Sequence, residues 1–274
     1  MDIQYFGWSG VAVRCGDALV GFDLFGDAVT WDALGCAEPT ILCLTHGHPE
    51  HVGSIRRLLA ALEAEERLST VHLVSSSRLV AFANRDNVLP ASNLHVIAPG
   101  ETTNVAGVNV AAFKWTHGSL LPDGAGPKRE YVTRLVSHPL AAIRIGLSGL
   151  RVPTNTPTLG FHLTFANGST FLNYSEGMHR QANAQDVQAV ARQSPADTVV
   201  FAVEPEEIDV IPRWVETMSP ETVLMYEAHR PWRDIFGMQT IDLVAYAASL
   251  SEHLSPTRFH ALTRPGQTVV MHRS

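Results

Sequence analysis

The chain has 274 residues, 45% of them hydrophobic and 17% charged, with a formal net charge of −7. That is the composition of a globular chain with one large domain or two small ones. Its acidic balance argues against general nucleic-acid binding, which leaves a basic footprint. Three cysteines, Cys15, Cys36 and Cys43, lack a C-x-x-C spacing and argue against a disulfide framework or a structural zinc knot.

The opening MDIQYFGWSG has no basic stretch followed by an apolar one, and no apolar run approaches the length of a bilayer span. A cytoplasmic protein is therefore expected. IQYFGWSGVAVRCGDALVGFD is rich in β-branched and aromatic residues and is cut by glycine, so it reads as strands. TILCLT, residues 40–45, reads as a short buried strand. VGSIRRLLAALEAEERL then repeats apolar residues at helical spacing, at Ile55, Leu58, Leu59 and Leu62. Strand-like runs follow at 70–75, 93–98 and 107–115.

Residues 118–158 carry many Gly and Pro and no clean period, and their charge is about +3 from Lys128, Arg129, Arg134, Arg144 and Arg151 against Asp123 and Glu130. A segment this long within a domain suggests a functional lid, with a short helix after Pro139. Beyond it, LGFHLTFANGSTFLNY reads as a hairpin turning at Asn167-Gly168. AQDVQAVARQ, DVIPRWVETM and TIDLVAYAASLSEHL read as helices, and DTVVFAV, ETVLMY and QTVVMH as strands. The alternation predicts sheets covered by helices.

The chemistry concentrates at ILCLTHGHPEHVGS, where His46, His48, Glu50 and His51 fall on one strand-to-helix turn. Imidazole and carboxylate are ligands for zinc, and also for iron or manganese. Four ligands on one tight turn do not easily reach a single tetrahedral ion but could serve two ions side by side. Further ligand types follow predicted strands: His117 ends VNVAAFKWTH, Glu176 follows STFLNYS and His229 follows ETVLMYEA. Strand ends are where sheet-and-helix folds place their sites. His179 and Arg230 neighbour these residues and are candidates for substrate binding, as are Arg129 and Arg134 in the basic segment.

This order of residues resembles the metallo-β-lactamase superfamily, whose signature is H-x-H-x-D-H followed by a His, an Asp and a His. THGHPEHVG, Thr45 to Gly53, matches its first motif at every position but one. The resemblance spans nearly the whole chain and looks most like the simple hydrolases of the ascorbate-6-phosphate-lactonase-like branch. It implies an α/β (α+β) fold, a four-layer αββα sandwich formed by a single domain over 1–274. It implies a first ion on His46, His48 and His117, a second on Glu50, His51 and His229, and Glu176 where the family has a bridging Asp. Asp23, ending VGFD, matches an Asp that orients a ligand. Glu50 and Glu176 both depart from the family's Asp, each one methylene longer, which leaves one ion or a different ion open.

The implied activity is hydrolysis by a metal-bound hydroxide, for two divalent ions, zinc first, with manganese or iron as alternatives. Glu50 would help orient or deprotonate the water, and Asp23 would act through its ligand. The basic segment points to a small anionic ester, lactone or phosphodiester. Three alternatives remain: a nuclease or phosphodiesterase of the same fold, a mono-iron persulfide dioxygenase, and a binding module with a decayed site.

Overall fold

The computed structural model describes residues 1–24, 39–118 and 125–271. Cys36, Asp123 and His272 lie outside these residues, as do the side chains of Lys128 and Glu130. Two sheets form, each of seven strands among the described residues. The first runs β14 (Thr268–Val270), β1 (Asp2–Gly7), β2 (Gly10–Cys15), β3 (Ala18–Phe22), β4 (Thr40–Cys43), β5 (Val71–Ser75) and β6 (Leu94–Val96). The second runs β13 (Arg258–Leu262), β12 (Thr222–Glu227), β11 (Thr198–Val203), β10 (Thr170–Ser175), β9 (Leu159–Thr164), β8 (Val108–Lys114) and β7 (Thr102–Val105).

Both sheets follow one plan. Strands β14 to β3 pair antiparallel and β3 to β6 parallel. Likewise β7 to β10 pair antiparallel and β10 to β13 parallel.

The layers follow from the period-2 alternation of side chains along each strand. Val11 and Val13 of β2, Ile41 and Cys43 of β4, Val200 and Ala202 of β11, and Leu224 and Tyr226 of β12 enter one core between the sheets. Their alternates Ala12 and Leu42 turn outward under α2 (Ile55–Ala64) and α3 (Ser77–Ala83). On the other side Val199, Phe201, Val223 and Met225 turn outward under α6 (Ala184–Gln193), α7 (Ile211–Met218) and α9 (Leu243–His253). The result is the expected four-layer αββα sandwich. Aromatic rings lock its middle: Phe22 stands 6.0 Å from Phe161 and 5.8 Å from Phe171, centroid to centroid, and all three are fully buried.

The basic segment contains two helices, α4 (Ala125–Ser137) and α5 (Pro139–Gly149). The helix after Pro139 was expected and α4 was not. Ala125-Gly126-Pro127 looks like a breaker, but proline is tolerated in a helix's first turn, where its missing N–H costs nothing. Strands β7 and β13 also went unread, because each is an edge strand of the second sheet and mixes polar with apolar residues.

Candidate metal centre

Thr45 leaves β4 into a turn that opens α1 (Pro49–Val52). Pro49 starts this short helix, and the His48 carbonyl accepts the His51 and Val52 amides at 3.0 and 3.1 Å. Gly47 is required here for closeness rather than for bending. Its φ is not left-handed, but a Cβ would lie 2.0 Å from the Pro153 carbonyl oxygen. The Gly47 amide donates to Thr156 Oγ1 at 2.9 Å, so the chain returning from α5 is seated on the histidine turn.

The other candidates arrive at strand ends, as expected. Asp23 follows β3, Glu176 follows β10, His229 lies two residues past β12, and His117 lies three past β8. Three of the strand exits carry a non-glycine residue in the left-handed region: Asp23 at φ 45°, Ser175 at 54° and His229 at 53°. Such conformations cost on the order of 1–3 kcal/mol each and gather where a fold holds a site in place. In β10 a bulge between Asn173 and Ser175 re-aims the chain, and Asn173 Oδ1 accepts the Ser175 amide at 2.8 Å.

Hydrogen bonds fix which imidazole nitrogen is free. Asp23 accepts the Thr45 amide at 2.8 Å and the Thr45 hydroxyl at 2.6 Å, and His51 Nδ1 donates to Asp23 Oδ2 at 2.8 Å. With its own hydrogen committed to Asp23, Thr45 Oγ1 accepts from His46 Nδ1 at 3.0 Å. His117 Nδ1 donates to the Gly118 carbonyl at 2.7 Å. In all three rings the Nδ1 proton is spent on an oxygen. That leaves Nε2 of each ring facing inward, the nitrogen that would bind an ion once it carries no proton, which is how metal-binding histidines are usually oriented.

Those nitrogens, with His229 Nε2, converge on the Glu176 carboxylate, which stands between two groups. Oε2 is 3.4 Å from His117 Nε2 and 3.7 Å from His46 Nε2. Oε1 is 3.3 Å from His51 Nε2 and 3.7 Å from His229 Nε2. Glu50 Oε1 borders both groups, 3.4 Å from the other ring nitrogen of His229, Nδ1, and 3.9 Å from His48 Nδ1. Two donors each about 2.1 Å from a common ion, at a tetrahedral angle, stand about 3.4 Å apart. The spacings between the Nε2 atoms and Glu176 therefore suit donors that share an ion.

Satisfaction of the polar atoms points the same way. His46 Nε2, His117 Nε2 and Glu176 Oε2 are buried without a hydrogen-bond partner. Each such atom ordinarily costs about 1–3 kcal/mol. The ligand atoms of His46, His48, His117 and Glu176 all lie within 4.8 Å of one another, so this group could hold a metal ion.

The electrostatics are those of a coupled cluster. Burial lowers His46 well below its ordinary value and His48 to about 4, so both are neutral at pH 7. Burial also opposes charge on His51 and His229, but carboxylates overcome it. Asp23 and Glu176 hold His51 well above its ordinary value, and Glu176 with Glu50 raises His229 to about 9. Burial would raise Glu176, yet His229 and His51 hold it well below the usual carboxylate range.

The four candidates for substrate binding fare differently. His179 donates through Nε2 to the Thr116 carbonyl at 2.5 Å and accepts the Gln181 amide on Nδ1 at 3.1 Å. Both ring nitrogens hold backbone, so His179 braces the strand end that carries His117 and offers substrate no nitrogen. Arg230 is spent on Glu227 at 2.8 Å and Asp234 at 2.9 Å, facing a separate cleft of about 620 Å³. Arg129 is exposed on α4, and Arg134 lies where a Cβ on Gly237 would meet its Nη1 at 3.1 Å. Sequence reasoning missed Glu204, which directly follows β11, with Oε1 3.7 Å from His229 Nε2. The signal was available, since an acid after a buried apolar strand is the pattern that singled out Glu176.

No family model and no curated protein matches the sequence. Solved structures do. Igni18, a metallo hydrolase from the archaeon Ignicoccus hospitalis, superposes with a TM-score of 0.65 at 14% identity, covering 100% of this chain and 99% of that one. YhfI from Bacillus subtilis, a metallo-β-lactamase fold protein, gives 0.60 at 10% identity over 98% of both chains. CmlA from Streptomyces venezuelae, a diiron β-hydroxylase, gives 0.59 at 13% identity, covering 98% of this chain and 54% of CmlA. The chain thus has the metallo-β-lactamase fold.

Proposed function

We propose that this chain is a metal-dependent hydrolase with a two-ion site. His46, His48 and His117 would hold one ion, and Glu50, His51 and His229 the other, with Glu176 shared between them. One observation carries the reading: the Glu176 carboxylate turns one oxygen to His46 and His117 and the other to His51 and His229. Bound divalent ions would supply Lewis acidity and lower the pKa of a bound water towards about 7. The chain's own residues do the rest. Asp23 and Thr45 hold His51 and His46 in the tautomer with Nε2 inward. Glu50, whose carboxyl is held below its ordinary value against burial by His229 and His51, stays ionised at neutral pH and can accept a proton.

The helices α4 and α5 would act as a lid, and Arg129 and Arg134 would favour a small anionic ester, lactone or phosphodiester. Tyr131 of α4 supports that placement, because Arg233 and Glu204 beside the site both act on its hydroxyl. Neutralising Arg129 and Arg134 together should raise KM for anionic substrates by several-fold and leave neutral substrates unchanged. An equal change for both would remove the lid from the reading.

The site itself is tested by elemental analysis of the purified protein beside Glu176→Ala. About two Zn or Mn per chain, falling in the variant, is the expected result, followed by turnover on a panel of phosphorylated lactones and phosphodiesters. A second reading, oxygen chemistry on iron, is favoured by the likeness to the diiron hydroxylase and by the glutamates at the site. Iron in the purified protein together with oxygen uptake would select it.

A further inference from the structure

We infer that Glu204 is a further carboxylate ligand at the second ion position, and that it gives the two positions different metal preferences. The inference rests on the two-ion reading and extends it to a residue which that reading does not use.

Glu204 follows β11, the strand between β10, which delivers Glu176, and β12, which delivers His229. It thus leaves the second sheet at the same end as both of them. Its Oε1 stands 3.7 Å from His229 Nε2, the same nitrogen that stands 3.7 Å from Glu176 Oε1. That spacing is the one found among the other donors.

Glu204 is aimed by a fixed cation. Arg233, 7% exposed, donates through Nε to the Ala228 carbonyl at 3.2 Å and through Nη1 to the Gln239 carbonyl at 2.9 Å. Both of its terminal nitrogens reach Glu206, Nη1 to Oε1 and Nη2 to Oε2, each at 2.8 Å. Glu206 therefore already neutralises this guanidinium in fork geometry. Glu204 reaches the same Nη2 through Oε2 only. Its other oxygen is turned to His229, and its charge is not needed to balance Arg233.

Two divalent ions bring four positive charges, and Asp23, Glu50, Glu176 and Glu204 bring four negative ones. Glu204 would thus balance the pair while the bound water is still neutral, where a site without it would carry an excess positive charge away from bulk water.

The donor sets then differ. The first position has three imidazoles and one oxygen of Glu176, a set that suits zinc. The second has two imidazoles and oxygens from Glu50, Glu176 and Glu204. More carboxylate oxygen favours a harder ion such as Mn²⁺.

The test is ion binding to the metal-stripped full chain, read by Mn²⁺ paramagnetic resonance and by Zn²⁺ competition with a chromophoric chelator. The wild type should bind two ions per chain. Glu204→Gln should weaken Mn²⁺ at one position by at least about 100-fold, beyond the 10- to 100-fold typical of losing an outer partner, and leave the tight Zn²⁺ position unchanged. Glu204→Asp keeps the charge beside Arg233 but shortens the reach, and should weaken Mn²⁺ in the same direction. Glu206→Gln removes the other carboxylate on Arg233 and should leave Mn²⁺ binding unchanged. Unchanged Mn²⁺ affinity in both Glu204 variants overturns the inference while two-ion binding stands. An equal loss in Glu206→Gln also overturns it, because Glu204 would then act only by holding Arg233. A single ion per wild-type chain overturns the two-ion reading and this inference with it.

Discussion

The strand-end cluster and the α4–α5 hairpin are built on opposite terms. The cluster buries polar atoms: His46 and His51 are 2% and 1% exposed and Glu176 is 8% exposed. The hairpin exposes apolar ones, with Leu140 and Leu150 each 83% and Val136 72% exposed. In the cluster placement is enforced by Asp23 on Thr45 and His51, by left-handed strand exits and by the closeness of Gly47 to the Pro153 carbonyl. The hairpin is held at its margins. Arg134 approaches Gly237, the His138 ring stands 5.8 Å from that of Phe236, and the return limb is tied down by Arg78 on the Asn155 carbonyl at 2.6 Å. A fold invests strain and unsatisfied polar atoms where geometry must not move, and leaves loosely packed surface where geometry is free to vary.

The sharpest way to break this comparison is to remove two ring donors. Replacing His48 and His51 by Ala should lower bound metal and any hydrolytic turnover by at least about 100-fold, beyond the 10- to 100-fold typical of losing only an outer partner. Far-ultraviolet circular dichroism should stay that of the parent, since both rings lie on the turn and short helix after β4 and no strand or long helix is built on them. Full turnover in the double variant would mean the cluster is not the reaction centre.

A paired substitution measures the difference in packing. Phe171→Ala opens a cavity between the sheets beside Phe22 and should cost about 3–5 kcal/mol in denaturant unfolding. Leu140→Ser on the hairpin should stay within about 0.5 kcal/mol of the parent. A hairpin cost approaching the core cost would show that its exposed face is covered in solution.

The same contrast explains what was legible in the sequence. The buried strands were readable because alternation or a continuous apolar run leaves few other options, and TILCLT and ETVLMY became β4 and β12. The cluster was readable because ligand-type residues repeatedly follow such strands. Roles depending on partners across space were not. His179 and Arg230 looked available from their positions, and only the fold reveals that Thr116, Gln181, Glu227 and Asp234 occupy them. The reason for Gly47 was likewise hidden, because Pro153 lies on a distant limb. In the hairpin, exposed Leu and Ile spaced for burial gave a helix but no indication of what it packs on.

The smallest expected effect is one of pH, and its sign separates the metal-free from the loaded state. Carboxylates raise His229 from 6.5 to about 9 in the folded, metal-free chain, against the opposing effect of burial. A raised folded value means the folded state holds a proton that the unfolded state has already released. That contribution to stability is complete below about pH 6.5 and is lost as pH rises through about 9. His51 is raised through its contacts with Asp23 and Glu176 and adds in the same direction. Below this window His48, lowered to about 4 by burial, acts oppositely, because the unfolded state takes up its proton first. The metal-stripped protein should therefore lose melting temperature between pH 6.5 and 9. Ion binding requires the imidazoles to give up those protons, so saturating Zn²⁺ should add more stability at pH 9 than at pH 6.5. Calorimetric melts at the two pH values, with and without ion, read both slopes. A metal-free melt that rises over this window would mean that His229 and His51 are neutral in the folded chain, and that Glu176 is not the charged partner between them.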